Sequence, residues 1–279
     1  MRVYRDEAIV LRTQKLGEAD RIITMLTRSG GRVRAVGRGV RRTSSKFGSR
    51  LEPFMHVDVQ IAAGRTLDVV AQVETLSPFA RPIGADYACY TAGTAMLETA
   101  ERLVAEEGEP ALQHYLLLLG GLRALAEAAH EPTLVLDSFL LRALAVSGYA
   151  PSFDACARCG APGPHRNFTA GAGGMLCNDC RLPGSARPSL DVVTLLGALL
   201  AGDWATAEAV DARFRSPASG IVAAYLQWHL ERSLRSLPYV VRESSGTPRV
   251  SAADRRTDAV GGSAAIGPVV PEGAPRVTR

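Results

Sequence analysis

The sequence predicts a multidomain β + α protein: a small five-stranded barrel first, then a helical bundle into which a four-cysteine lobe is inserted. Three observations carry this. Short β-branched and apolar runs separated by turn signals fill the first 76 or so residues. From Tyr87 the apolar period becomes helical, and two Cys-x-x-Cys pairs interrupt that helical region. The boundaries drawn from these signals are 1–80 for the barrel, 81–150 and 187–243 for the two parts of the helical domain, 151–186 for the lobe and 244–279 for a tail.

The first strand runs over Ala8 to Leu16, and Gly17-Glu18-Ala19-Asp20 supplies its turn. Arg21 to Thr27 is the second strand, closed by Ser29-Gly30-Gly31. In the third, Arg32 to Val36, alternation sets Arg32 and Arg34 on one face and Val33 and Ala35 on the other. His56 to Ile61 alternates with Val57, Val59 and Ile61 inward, and Leu67 to Thr75 completes the set. Five strands in this length suit closure, which removes exposed sheet edges; an oligonucleotide-binding (OB) barrel is the first choice and an SH3-like barrel the second.

Helical spacing then places Ala92, Ala95, Met96, Thr99, Leu103 and Val104 on one buried stripe. Glu109-Pro110 opens a second helix, with Leu112, Leu116, Leu119, Leu122, Leu125 and Ala126 as its inner face. Pro132 opens a third, with Leu136, Phe139, Leu140, Ala143 and Leu144 inward. Beyond the cysteines, Ser189 caps a helix to Leu200, and Trp204 to Phe214 and Gly220 to Leu237 follow. From Ser244 to Arg279 the chain is Ser, Gly, Pro, Ala and Arg without period, a composition that predicts disorder.

Cys156-Ala157-Arg158-Cys159 and Cys177-Asn178-Asp179-Cys180 have the spacing of a zinc ribbon or knuckle. Four thiolates fill zinc's tetrahedral shell and leave no position for water or substrate, so one structural Zn2+ ion is expected and a catalytic one is not. Stable disulfides fit an intracellular setting poorly, and a redox pair needs no second copy. Cys89 stands apart and reads as a small buried residue.

The net charge is +4, unevenly spread. Residues 1–80 carry 14 Arg and Lys against 8 Asp and Glu, whereas residues 81–155 carry 4 against 10. Between Arg28 and Arg50 eight basic residues meet no acidic one. From that run Arg32, Arg34, Arg38, Arg41, Arg42, Lys46 and Arg50 are the expected DNA contacts, acting chiefly on phosphates. Phe47 and Phe54 are the nearby rings on which bases could stack. A GC-rich genome explains part of the Arg bias, so position matters more than count. Acidic Glu106, Glu107 and Glu109 read as a solvated turn. There is no phosphate-binding loop, nucleophile elbow or His-Glu-x-x-His helix, and the five histidines are scattered, so no enzyme is predicted. The chain starts without an apolar leader and its longest apolar runs are too short to span a membrane, so a soluble cytoplasmic protein is expected.

Ala8-Ile9-Val10-Leu11-Arg12, Leu16-Gly17-Glu18-Ala19-Asp20-Arg21-Ile22-Ile23-Thr24, Gly37-Arg38-Gly39-Val40-Arg41-Arg42 and Leu51-Glu52-Pro53-Phe54 resemble the start of the bacterial RecO family of recombination mediators. The likeness resumes at Gly148-Tyr149-Ala150-Pro151, ahead of the cysteines, and covers roughly residues 1–240. It implies an OB domain, a helical domain and a zinc lobe in members that keep the cysteines. It also implies binding of single- and double-stranded DNA, annealing of complementary strands, and loading of RecA onto single strands coated by single-stranded-DNA-binding protein. The implied partners are RecR and the C-terminal tail of single-stranded-DNA-binding protein, and the implied location is the nucleoid. Two other readings stay open: a zinc-supported nucleic-acid enzyme such as a nuclease, which needs a carboxylate cluster, and an RNA-associated barrel protein.

Overall fold

The computed structural model describes residues 2–230 and 234–241, so the tail predicted over 244–279 lies outside the described residues. Five strands, β1 (Val3–Leu16), β2 (Asp20–Thr27), β3 (Gly31–Gly37), β4 (Met55–Ala62) and β5 (Asp68–Pro78), close into a barrel in the order β1-β2-β3-β5-β4. Neighbours are antiparallel except β3 and β5, which meet in parallel at Ala35–Asp68 and Val36–Val69. β1 begins five residues before the expected Ala8. That extension has little apolar signal. Cross-strand polar pairs hold it: Arg5 to Asp58 at 2.7 Å and the Tyr4 hydroxyl donating to Asp68 at 2.7 Å.

The barrel wall is buried on both sides where it meets the helices. Along β1, Ala8 and Val10 face the barrel core with Ile23, Met25 and Ala35, while Ile9 and Leu11 face outward into the helical core, joined by Leu26 of β2. A bulge between Val10 and Arg12 then turns the strand out of this double burial. The apolar run of β1 is therefore continuous where a half-exposed strand would alternate.

Among the described residues seven helices follow: α1 (Ala80–Gly84), α2 (Tyr87–Leu103), α3 (Leu112–Ala126), α4 (Pro132–Val146), α5 (Leu190–Ala201), α6 (Trp204–Ala209) and α7 (Arg215–Leu230). Side chains cap the starts of α2, α5 and α6, Asp86 accepting from Cys89 N, Ser189 from Val192 N and Asp203 from Thr206 N, whereas α1 and α3 begin without a side-chain cap. α4 is buried over most of its surface and packs on α2, α3, α5 and α7, so the helices before and after the cysteine segment form one bundle.

Three expectations need correction. α3 starts two residues after Pro110 and buries Tyr115, Leu118, Leu122 and Leu125, whereas Leu112 and Leu116 are about half exposed. The run Tyr115 to Leu119 fits two helical phases equally, and the hydrogen bonds of the Tyr115 hydroxyl select one of them. The helix expected over Trp204 to Phe214 stops at Ala209, because Asp211 accepts from Arg213 N and starts a separate 3-10 turn, Ala212–Phe214. The last helix begins at Arg215 rather than Gly220 and is described to Leu230.

The lobe between α4 and α5 contains one small hairpin, β6 (Asn167–Thr169) with β7 (Gly174–Leu176). Its apolar residues Phe153, Phe168 and Met175 join the helical core, Phe168 lying against Tyr225 of α7. Among the described residues no helix is long and apolar enough to cross a membrane.

Candidate metal centre and nucleic-acid interface

The turn after Phe153 brings Cys156 into the lobe with its N–H donating to Ala161 O, while Gly160, at a φ of 73° that favours glycine, donates back to Cys156 O at 2.8 Å. The hairpin delivers the other pair: β7 ends at Leu176, and Cys177 and Cys180 lie in the turn that follows. The four Sγ atoms all lie within 4.8 Å of one another, and Cys159 Sγ is 3.8 Å from Cys177 Sγ. A tetrahedron with metal–sulfur bonds of about 2.3 Å has edges of about 3.8 Å, so the cluster fits one metal ion. It is too wide for disulfides. Cys156 is buried, Cys159 exposed and the other two intermediate.

The thiols share their environment unequally. Backbone N–H groups of Cys177 and Cys159 point at Cys156 and hold its thiol down at about 6. Cys180 is pushed up to about 12, first by the Cys177 side chain and then by Cys159. Four crowded sulfurs resist collective ionisation, and a bound dication removes that resistance. Cys89 takes no part; it is buried under α3, its thiol 3.8 Å from Leu125 O.

The structure distributes the basic run over the outer face of β3 and the loop that follows. Arg38, Arg41, Arg42, Lys46 and Arg50 are all exposed. Arg41 is partly committed to structure, donating to Glu18 O at 2.8 Å and so tying the 38–46 loop to the β1–β2 turn. Lys46 donates to Ala71 O at 3.0 Å and Arg50 to Lys46 O at 3.0 Å. Arg38 and Arg42 make no ion pair among the described residues.

Two readings of this face change. The acidic turn is not merely solvated. Its backbone docks on β3 where Gly31, φ 64°, has no side chain; a Cβ there would lie 1.7 Å from Glu109 O. This places Glu107 beside both Arg34 (3.3 Å) and Arg32 (3.8 Å), so a counterion absent from the local sequence arrives from residue 107. Nor are Phe47 and Phe54 stacking platforms. Phe47 fills the barrel core, and Phe54, at φ 70°, lies in the helical core edge-on to Tyr90.

Sequence reasoning missed a cleft of about 900 Å³ where β1 and β3 meet α2, lined by Arg12, Arg32, Arg102, Arg235, Tyr90 and Thr94, among others. Arg12 carried a signal as part of the N-terminal motif and Arg32 as part of the basic run, but nothing in the sequence brought the two together. A second groove of about 510 Å³ lies between α3 and α4, with Leu116, Phe139, Trp204 and His130 on its walls and Arg142 among them. Here His130 stacks on Trp204 at 3.9 Å.

The profile described as "Recombination protein O N terminal" matches residues 1–79, and that described as "Recombination protein O C terminal" matches residues 84–238. The chain is similar to the DNA repair protein RecO of Streptomyces griseus subsp. griseus, 65% identical over 246 residues, which are 86% of this chain and 99% of that protein. It is also similar to the proteins of the same name from Nocardioides sp., 65% identical over 86% of this chain and 100% of that one, and Thermobifida fusca, 62% identical over 87% and 100%.

Proposed function

Because the chain belongs to the Recombination protein O (RecO) family, we propose that it acts in DNA repair as a recombination mediator that binds DNA and anneals complementary strands without catalysing a covalent step. The observation that carries this reading is the exposed basic surface formed by β3 and the 38–46 loop on a closed five-stranded barrel, which we take as an OB barrel. Annealing asks only that two polyanions be brought together while their repulsion is lowered, and arginines on a rigid wall do this by displacing counterions. Arg38 and Arg42 supply the freest charges; Arg32 and Arg34 act once phosphate competes with Glu107. Arg41, Lys46 and Arg50 also hold the loop in shape.

In this reading the metal is zinc, held by Cys156, Cys159, Cys177 and Cys180. It cross-links the two turns of a lobe whose hairpin has only three residues per strand. The C-terminal tail of single-stranded-DNA-binding protein, acidic and apolar-tipped, suits the α3–α4 groove, where Arg142 meets the carboxylate and Phe139 and Leu116 meet the apolar end. RecR and RecA complete the assembly that acts at coated single strands on the nucleoid.

A nuclease needs carboxylates free to hold a divalent ion. Beside the basic face, Glu52, Glu101 and Glu107 are each engaged by arginine: Arg21, Arg12 and the Arg32–Arg34 pair. The test is annealing of complementary oligonucleotides, bare and coated with single-stranded-DNA-binding protein, with no nucleotide or added metal. Faster annealing of both supports the reading, and no acceleration of either overturns it. Competition with RNA of the same sequence addresses the RNA-protein alternative: preference for the RNA strand would replace the DNA reading.

A further inference from the structure

The cleft at the junction of barrel and helices is not accounted for by the basic loop or by the metal lobe. Its floor is apolar, with Leu11, Pro53, Phe54 and Leu97. Tyr90 stands on its wall, 46% exposed, its ring held edge-on against Phe54 at a centroid distance of 5.8 Å. Among the described residues four arginines line it against two glutamates. Both carboxylates are already engaged. Glu101 accepts from Arg12 Nε and Nη2, and Glu98 accepts from Arg102, from the backbone N–H groups of Arg235 and Ser236 and from the Ser236 hydroxyl. What remains for a ligand is therefore net positive charge beside a flat ring.

Arg32 is poorly satisfied for a guanidinium that is largely buried. Its Nη1 reaches Glu101 O only at 3.4 Å and its Nη2 reaches Glu107 only at 3.8 Å, while its Nε is buried without an acceptor among the described residues. Turning this guanidinium toward a phosphate costs little and satisfies donors that now go short. Arg34 lies two residues on along the same face of β3, and Arg38 lies just past its end. The seven residues of β3 span about 20 Å, so Arg32, Arg34 and Arg38 mark a path of positive charge from the exposed loop to the cleft.

We infer that this cleft is a nucleotide subsite, in which Tyr90 stacks on one base of a single strand tracking along β3 while Arg32 and Arg12 hold the adjoining phosphate. The inference rests on the DNA-binding reading above and names where the strand ends on the protein. A ring supported by another ring is a rigid platform, and stacking on it is indifferent to base identity, as annealing requires.

The experiment uses the full chain and an oligothymidylate of about 12 nucleotides, with and without one 5-iodouracil for crosslinking. Tyr90→Ala should weaken binding about tenfold with the salt slope unchanged, because stacking releases no counterions. Tyr90→Phe should bind like the parent. Arg32→Gln should weaken binding and lower the slope by about 0.7. The photo-crosslink should map to Tyr90. Arg38→Ala with Arg42→Ala is the control for the loop. If that variant loses affinity while Tyr90→Ala does not, and the crosslink maps elsewhere, the subsite is wrong and the DNA-binding reading stands. If the parent chain binds no oligonucleotide, both fall. If Tyr90→Ala leaves DNA binding intact but abolishes binding of an acidic peptide with an apolar C-terminus, the cleft belongs to a peptide and the inference is overturned.

Discussion

At the residue scale the sharpest feature is Glu107. Two residues of sequence separate it from Val104, where α2 is capped, yet it neutralises arginines on β3 some 75 positions earlier. Its backbone is pinned by Gly108 N donating to Arg32 O, so Glu107→Gln changes charge without moving the turn. That variant should bind single-stranded DNA more tightly, and its log K against log salt should be steeper by about 0.7 for each arginine released. Unchanged affinity and slope would show that Arg32 and Arg34 do not touch phosphate. Conversely, if about four charges contact a strand in the parent, its slope is near −2.8 and fourfold more salt weakens binding about 50-fold. Removing Arg38 and Arg42 should bring the slope near −1.4, with similar losses for all base sequences. At the metal centre, Cys156→Ser or Cys177→Ser should lower bound zinc well below one per chain and reduce the melting temperature, while Cys89→Ser should leave the metal content unchanged. Elemental analysis of the three variants checks this; a full complement of zinc in Cys156→Ser excludes that residue as a ligand.

At the scale of elements, α3 shows how the contacts of a single polar group select a helix face. Tyr115 is 1% exposed, its hydroxyl 2.8 Å from His56 Nε2 and donating to Glu7 Oε2 at 3.2 Å, which locks the helix rotation against β1 and β4. The rotation turns Leu118 inward and Leu116 outward. Leu118→Ala should therefore cost about 2–5 kcal/mol, and Leu116→Ala should stay within about 0.5 kcal/mol. Equal losses in denaturant titrations would contradict the observed face. Leu116→Ala carries a second readout: if the α3–α4 groove takes the acidic tail, that variant weakens peptide binding at unchanged stability.

At the scale of the molecule, barrel and helices share one core. Ile9, Leu11 and Leu26 of the barrel wall belong to one core with Leu97, Leu118 and Leu122, so an isolated 1–80 fragment would expose them to water. Residues Met1–Ser244 form one compact unit, and heat should unfold the barrel and the bundle in a single transition. Two separated transitions in calorimetry would contradict this. Three histidines add a pH dependence. Burial holds His56, His114 and His229 below the ordinary histidine range. As pH falls through about 6.5 the unfolded chain takes up these protons before the folded one does, so stability present above that pH is lost on acidification toward the folded values. Melting temperature should fall between about pH 7 and pH 5, and His56→Gln should flatten part of that fall; a flat profile in the parent chain would contradict it.

The four clustered cysteines, the five strands and the order of helices were legible in the amino-acid sequence because each rests on local chemistry. Two residues between cysteines make a ligand pair, alternation makes a strand, and Ser189 before an apolar run starts a helix. Three other things were decided only by the fold. Glu107 reached β3, Phe47 and Phe54 turned away from solvent into two different cores, and Tyr90, Arg12 and Arg32 converged on one cleft. In each case the deciding contact joins residues tens of positions apart. Spacing along the chain reports which side of its own element a residue occupies. Only packing reports what stands opposite, and at this interface what stands opposite sets both the charge that DNA would meet and the ring on which a base could rest.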